Sequence, residues 1–430
     1  MEISHVVILA VLLGCMATYV PVYLCLFFTA VVGFIFFSNV TILLLVQTIY
    51  RSMDNFALIV VLYFILCGNI MTAGETVKKL IKVANTLVSW LPGGLGMAGC
   101  LACGMFGAIS GSTVATVVAL GGFMIPQLIQ NGYPEKYTLG LMATSPNLGV
   151  IIPPSISMIL YCLISNVSLL GLFATGFLPG MMIMFFVCIY TYFTLRNNKN
   201  IVRLPMPNFR EVMSTLKEGF WAIMLIVIIF GGIFSGAFTA NEVAVVACVY
   251  AFILELFIYR SIDFAKAKRI TIDSAVTSAT LLIIVAGAST FGRMITFENI
   301  PDQIVDAVTS NIQSPIVFLL VMNILLLFIG MFMDIISATM ILGPVFLPML
   351  PAYDVNLMHF GLIMTVNLAI GYCTPPMGVS LFITCTISKR DILYIARSVL
   401  PFLIIQIGVL LFITYMPNMV LWLPTVMGYL

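Results

Sequence analysis

Charge is scarce in this chain. Only 8% of its 430 residues are Asp, Glu, Lys or Arg, against 62% apolar, too little polar surface to cover a water-soluble globule. The bilayer is therefore its expected solvent. Histidine is nearly missing, and with only His5 and His359 no serine–histidine pairing can be built. Asp334 has no second intramembrane aspartate beside it, so an intramembrane hydrolase is the remote alternative. The net charge of +2 comes from Lys and Arg spread over short loops, which excludes a basic face for nucleic acid. No ring of charges suits a channel pore. A positive leader is lacking too: Glu2 and His5 stand where a signal peptide carries basic residues, so the first apolar segment is expected to stay. The ten cysteines lie in apolar segments where no disulfide framework is expected, and Cys100-x-x-Cys103 lacks the second pair that zinc needs.

What the chain has is apolar length. Stretches of about 17 to 25 residues, enough for a helix to cross the hydrocarbon, recur from end to end, with no soluble domain between them. Basic loops assign their direction, because Lys and Arg gather on the cytoplasmic side. The densest run from Arg196 to Lys217, with Lys199, Arg203 and Arg210, and from Arg260 to Arg269, with Lys266 and Lys268. Two spans, near 220–238 and 243–259, separate them. Counting back places Lys136, and with it Lys78, Lys79 and Lys82, on the same side. The segment of about 91–130 then begins and ends in the cytoplasm, with Gly107-Ala108-Ile109-Ser110-Gly111-Ser112-Thr113 at its middle. Such a midpoint suits a re-entrant hairpin, since irregular backbone at that depth must face protein or a water-filled cavity; two full crossings are the competing reading. Counting forward, a span over 270–292 reaches an outer loop with Glu298, Asp302 and Asp306. The segment of about 315–351 opens from the outside and returns to Asp354, a span over 360–384 leads in to Lys389, Arg390 and Arg397, and a last span leads out. Both termini are expected to be periplasmic.

An internal repeat underlies this count. Gly104-Met105-Phe106 is followed by a polar tip and then Gly149-Val150-Ile151-Ile152-Pro153-Pro154. Gly330-Met331-Phe332 is followed by Asp334-Ile335-Ile336-Ser337-Ala338-Thr339 and then Gly371-Tyr372-Cys373-Thr374-Pro375-Pro376. The separation from Gly-Met-Phe to Pro-Pro is 49 residues in one half and 45 in the other. Charge assigns the units opposite entry sides, which is the inverted-repeat plan of secondary transporters. The expected organisation is one integral permease over 1–430, with a first repeat at 53–195 and a second at 219–430.

Each diproline removes two backbone donors and clashes with the preceding turn, so the helices at Pro153-Pro154 and Pro375-Pro376 should break. The freed carbonyls, with hydroxyls from Ser110, Ser112 or Thr339, are hard oxygen ligands suited to a small cation such as sodium. The restarting half-helices offer N–H groups and a positive dipole to an anion. A merely kinked, close-packed crossing is the bland alternative. Asp334 reads as a hydrogen-bonded lock of its hairpin or an indirect electrostatic element, because a bare carboxylate would repel an acidic substrate. Arg293 reads as a snorkelling side chain rather than a substrate contact. The stretches 75–89 and 389–397 mix charge with apolar residues at helical spacing and read as interfacial arms.

These residues resemble the large membrane subunit, the DctM family permease, of tripartite ATP-independent periplasmic (TRAP) transporters. The resemblance runs from Met53-Asp54 and Gly68-Asn69-Ile70-Met71 through Ser110-Gly111-Ser112, Ile152-Pro153-Pro154-Ser155-Ile156 and Gly176-Phe177-Leu178-Pro179-Gly180. It continues to Met333-Asp334-Ile335-Ile336 and Thr374-Pro375-Pro376-Met377-Gly378. It implies an all-α, elevator-type transporter of the ion transporter superfamily in a bacterial inner membrane, coupled to sodium. Its implied partners are a small four-helix membrane subunit of DctQ type and a periplasmic substrate-binding protein of DctP type. Carried over by position, one sodium site falls at Ser110, Ser112, Gly149 and Pro153, and another at Gly330, Gly371, Thr374 and Met377. Substrate falls between the tips, near Ser110, Gly111, Ser337 and Thr339, with Pro154, Pro375, Pro376 and Asp334 as structural elements. Thr239-Ala240-Asn241-Glu242 departs from the family's usual Thr-Pro-Thr-Glu, and the lost proline is expected to soften that turn. A standalone sodium/carboxylate symporter is the alternative function. Sialic acids, C4-dicarboxylates, other sugar acids and sulfonates all fit, because backbone ends and hydroxyls recognise an anion without naming its skeleton.

Overall fold

Long apolar runs with few internal breakers should give helices that bury backbone polarity in themselves, and the computed structural model has this form. It describes residues 3–18, 20–37, 42–198, 200–201 and 205–430. Glu2, used above in the reading of the leader, and Lys199 and Arg203, used for topology, lie outside the described residues. All regular structure among the described residues is helical. Seven helices are long and apolar enough to cross a bilayer, or up to nine if each of two bent pairs counts as one span. The uninterrupted ones include Leu169–Leu195, Phe209–Ser235, Phe264–Phe297 and Ile392–Tyr415.

Their ends follow local chemistry. Asn208 and Glu211 form a capping box at the start of Phe209–Ser235, and Thr239 and Glu242 form another before Ala240–Ile253. The second box replaces the missing proline: Thr239 N–H donates to Glu242 Oε2 at 2.8 Å and Thr239 Oγ1 accepts from Glu242 N–H at 3.4 Å. The turn is held from both sides, contrary to the softening expected from sequence.

One of the two arms read from sequence exists. Thr76–Val88 is a separate amphipathic helix that buries Val77, Leu80, Ile81 and Ala84. It lies between Phe209–Ser235 and Gly94–Ser110. Its first turn is capped from another element: the fully buried Glu255 carboxylate accepts from the Glu75 and Thr76 N–H groups, each at 3.0 Å, and from the Thr76 and Ser261 hydroxyls. Lys82 reaches Glu218 at 2.6 Å and fastens the solvent face of the arm to Phe209–Ser235. The second arm is a correction. Residues 392–397 are the opening turns of Ile392–Tyr415, continuous with the last span, because Ile395, Ala396 and Val399 carry one buried stripe straight across the supposed junction. A short helix, Pro417–Val426, follows that span and packs on Leu169–Leu195.

Two helix pairs, each followed by a broken helix, position the site. In the first, Gly94–Ser110 turns at Gly111–Ser112 into the second limb, Thr113–Gln130. The chain then climbs through Glu135–Ile151, breaks, and resumes as Ile156–Ser165 with a 41° bend. In the second, Pro315–Gly330 turns into Ile335–Tyr353, and Leu357–Gly371 breaks before Val379–Ser388. Both diprolines, Pro153–Pro154 and Pro375–Pro376, sit in the breaks as cis peptides. Each helix before a break packs on the first limb of its own hairpin, whereas each helix after a break packs on the second limb of the other hairpin. The two units thus exchange their last helices.

Candidate functional site

The turn of the first hairpin is made by glycine and a cap. Gly111 has φ +60°, and the next residue, Ser112, restarts the helix by accepting from Ala115 N–H at 3.4 Å. The tip closes on the broken helix, with Ile156 N–H donating to Gly111 O at 3.4 Å. A Cβ on Gly111 would come within 2.8 Å of Pro154 O. Beside it, Ser110 Oγ lies 3.3 Å from Thr116 Oγ1, which donates to Ser112 O at 2.7 Å. Gly149 faces the same oxygens: a Cβ there would stand 2.8 Å from Thr116 Oγ1 and 3.0 Å from Ser112 O. Ser110, Ser112 and Gly149 are therefore brought together, with Pro153 and Pro154 buried behind them. Thr116 is the member that sequence reading missed. Its signal was the four-residue spacing from Ser112, which puts both on one face. The donor set is hydroxyl and carbonyl oxygen, the type suited to a small hard cation.

In the second hairpin Asp334 does the work of Ser112. Its Oδ2 accepts from Ser337 N–H at 2.9 Å and caps Ile335–Phe346. Ile335 N–H donates to the Tyr372 hydroxyl at 3.2 Å, tying the tip to the second break. Gly330 and Gly371 touch backbone to backbone, since a Cβ on Gly371 would lie 2.6 Å from the Gly330 Cα. Thr374 joins them through its N–H to Gly371 O at 2.9 Å. Met377 does not join them: its side chain is 51% exposed. Pro375 is half-buried and Pro376 exposed.

Glycine contacts also reset the register of the repeat. Gly107 meets Gly149 as Gly330 meets Gly371, with a Cβ on Gly107 only 2.5 Å from the Gly149 Cα. The equivalent of Gly330 is thus Gly107. Gly104, matched to it by the Gly-Met-Phe letters, faces Met184 and Ile152 instead. Gly68 of Ala57–Ala73 approaches from outside the hairpin, where its Cβ would be 3.0 Å from the Ser110 Cα.

Of the residues expected at the tips, Ser110, Ser337 and Thr339 are all buried, at 2%, 1% and 2% exposure. The hydroxyls of Thr339 and Thr113 are buried without a hydrogen-bond partner. Such orphans cost free energy unless a ligand, ion or water completes them. The helix Ile156–Ser165 links the tips, because it takes Gly111 at its first residue and packs along Ile335–Phe346. Behind both breaks lies a buried polar link that the sequence did not announce. Asn147 Nδ2 donates to Gln406 Oε1 at 2.9 Å, Gln406 Nε2 to Thr144 O at 3.0 Å, and Cys373 Sγ to Ala143 O at 2.9 Å. On the other side Asn367 donates to Asn323, whose Nδ2 donates to Thr414 Oγ1 at 3.2 Å. Ile392–Tyr415 thus supplies a fully buried polar side chain to each unit, Gln406 to the first and Thr414 to the second.

Comparison with known proteins agrees with this architecture. The profile of the family described as "Tripartite ATP-independent periplasmic transporter, DctM component" matches residues 9–419. The C4-dicarboxylate TRAP transporter large permease protein DctM of Pseudomonas aeruginosa is 36% identical over 392 residues, covering 91% of this chain and 92% of that one. The isethionate TRAP transporter permease protein DctMQ of Oleidesulfovibrio alaskensis is 34% identical over 371 residues, covering 86% of this chain and 58% of that longer protein. Among solved structures, the YdaH transporter of Alcanivorax borkumensis is similar in fold, with a TM-score of 0.65 at 13% identity over 89% of this chain and 90% of that one.

Proposed function

This chain belongs to the DctM component family of TRAP transporters, and from that premise we propose that it carries out sodium-coupled uptake of a small organic anion across a bacterial inner membrane. It is a multi-pass transporter permease and not an enzyme. The observation that carries the proposal is the pair of glycine-sealed breaks, each facing a hairpin tip with buried oxygen atoms. Sodium is held by Ser110, Ser112, Thr116 and the carbonyls around Gly149 and Pro153, and in the second unit around Gly330, Gly371 and Thr374. The substrate anion lies toward Ser110, Gly111, Ser337 and Thr339, where the restarting helices present their N-terminal dipoles. Sodium first neutralises the partial negative charge of the carbonyl ends, and the anion then binds beside it.

The two units are inverted in the membrane, with the first hairpin opening to the cytoplasm, the second to the periplasm, and both termini periplasmic. Interlocked by their exchanged helices, they move as one body against the remaining spans, an elevator form of alternating access. A small membrane subunit of DctQ type and a periplasmic binding protein of DctP type complete the assembly. The relatives' names, one for a C4-dicarboxylate and one for isethionate, favour a carboxylate or sulfonate substrate. The test is uptake of a panel of such acids by the reconstituted assembly. Ser110→Leu and Thr374→Leu should abolish sodium-dependent uptake in protein that stays folded, and unchanged uptake would overturn the cation sites. Cysteines at Lys136 and Asp354 should label from opposite faces. Full uptake by this chain alone would favour a standalone symporter.

A further inference from the structure

A cavity of about 770 Å³ is lined by no residue of the glycine-sealed breaks. One wall is polar and comes from helices outside both hairpin units. Gln47, Thr48 and Arg51 share a face of the amphipathic helix Ile42–Met53, and Ser289, Arg293 and Thr296 share a face of Phe264–Phe297. The opposite wall is apolar and belongs to the repeats: Ile164 ends the helix after the first break, and Pro344 lies on the second limb of the second hairpin. The cavity is thus a seam between the units and the surrounding spans.

Its charge is one-sided. No Asp or Glu lines it, and among the described residues no carboxylate stands within 4.0 Å of the Arg51 or Arg293 guanidinium. Arg293 lies 5.8 Å over the Phe297 ring, a contact that orients the guanidinium without neutralising it. Two like charges that only snorkelled to the membrane surface would have no reason to line the same concavity. Concentrated between low-dielectric walls, they raise the local concentration of anions. The guanidinium fork matches a carboxylate or sulfonate, and the volume falls in the usual range for small-molecule sites.

We propose that this seam is an anion-capture site, in which Arg51 and Arg293 hold a small organic carboxylate or sulfonate before it reaches the hairpin tips. The proposal rests on the transport reading above, which supplies both the cargo and the outward placement of this end of Phe264–Phe297. It adds a site that the hairpin chemistry does not contain, with charge as its means of selection where the tips use backbone and hydroxyls.

The test uses the full chain in phosphatidylcholine vesicles with Thr296→Cys as reporter, read above the labelling of the native chain. A negatively charged methanethiosulfonate reagent should react with it faster than a positively charged one, relative to their rates with a free thiol, by roughly tenfold. Arg51→Gln with Arg293→Gln should remove that preference, and Arg51→Lys with Arg293→Lys should keep it. Succinate or isethionate should slow the labelling, and mannitol should not. Equal labelling by both reagents in the arginine protein overturns the proposal. So does protection that appears only when phosphatidylglycerol is added, because the site then belongs to a lipid headgroup. The two readings fail separately. Charge preference with acid protection, but no sodium-dependent uptake by the full assembly, sinks the transport reading and leaves the anion site standing. Uptake without charge preference sinks the capture site alone.

Discussion

The first hairpin closes over its own helix break, whereas the second leaves its break open. Pro153 and Pro154 are buried, and Ile156 N–H reaches across to Gly111 O. Pro376 and Met377 are exposed, as is Phe332 at the facing tip, which is tied to the break by Ile335 N–H donating to the Tyr372 hydroxyl at 3.2 Å. The same backbone device is therefore used twice with different access. The glycine contacts do not set the difference, because Gly107–Gly149 and Gly330–Gly371 are alike. What differs is the length of the break, residues 152–155 against 372–378, and the tip: a left-handed glycine and a serine cap in one, Phe332, Met333 and an aspartate cap in the other.

The largest effect should come from the shared part. Gly371→Ala sets a Cβ 2.6 Å from Gly330 backbone, and Gly107→Ala sets one 2.5 Å from Gly149 backbone; neither neighbour can rotate away. Each should lower stability by about 1–3 kcal/mol, seen as an earlier thermal transition, and each should abolish sodium-dependent uptake. An active Gly371→Ala beside an inactive Gly107→Ala would break the equivalence of the two units. Next in size is access. Met377→Cys should react readily with a thiol reagent, and Ser155→Cys, at the matching place after the first diproline and fully buried, should stay unlabelled. Equal labelling would mean that the asymmetry is not a property of the folded chain in a membrane. Smallest is the caps. Ser112→Ala and Asp334→Ala should each cost about 1 kcal/mol, with Asp334→Asn recovering most of the loss because asparagine caps as well as aspartate. An Asp334→Asn protein as unstable as Asp334→Ala would show that the charge, not the cap, matters at the second tip.

Helices, their breaks and the hairpin turns were legible in the sequence because each has a local cause. Diproline forbids helix, Gly111 permits a left-handed turn, and apolar length makes a span. Residues that act through distant partners were not legible. Thr116 looks like any helical threonine until Gly149 is placed against it. Gln406 and Cys373 are letters in apolar runs until Asn147, Thr144 and Ala143 meet them. The Gly-Met-Phe letters paired Gly104 with Gly330, whereas close approach to the helix before each break selects Gly107. Basic residues after Lys389 suggested an arm, yet the buried stripe through Ile395 and Val399 overrides charge and continues the helix.

The capped start of Thr76–Val88 has a mechanical corollary. Glu255 holds the first two N–H groups of that helix, and Gly74 leaves its carboxyl so little room that a Cβ would lie 2.1 Å from it. A rod clamped at one end cannot slide along its length. Its start is thereby fixed to the element that carries Glu255, and its length runs against Gly94–Ser110, so the carboxylate sets where the support of the first hairpin begins.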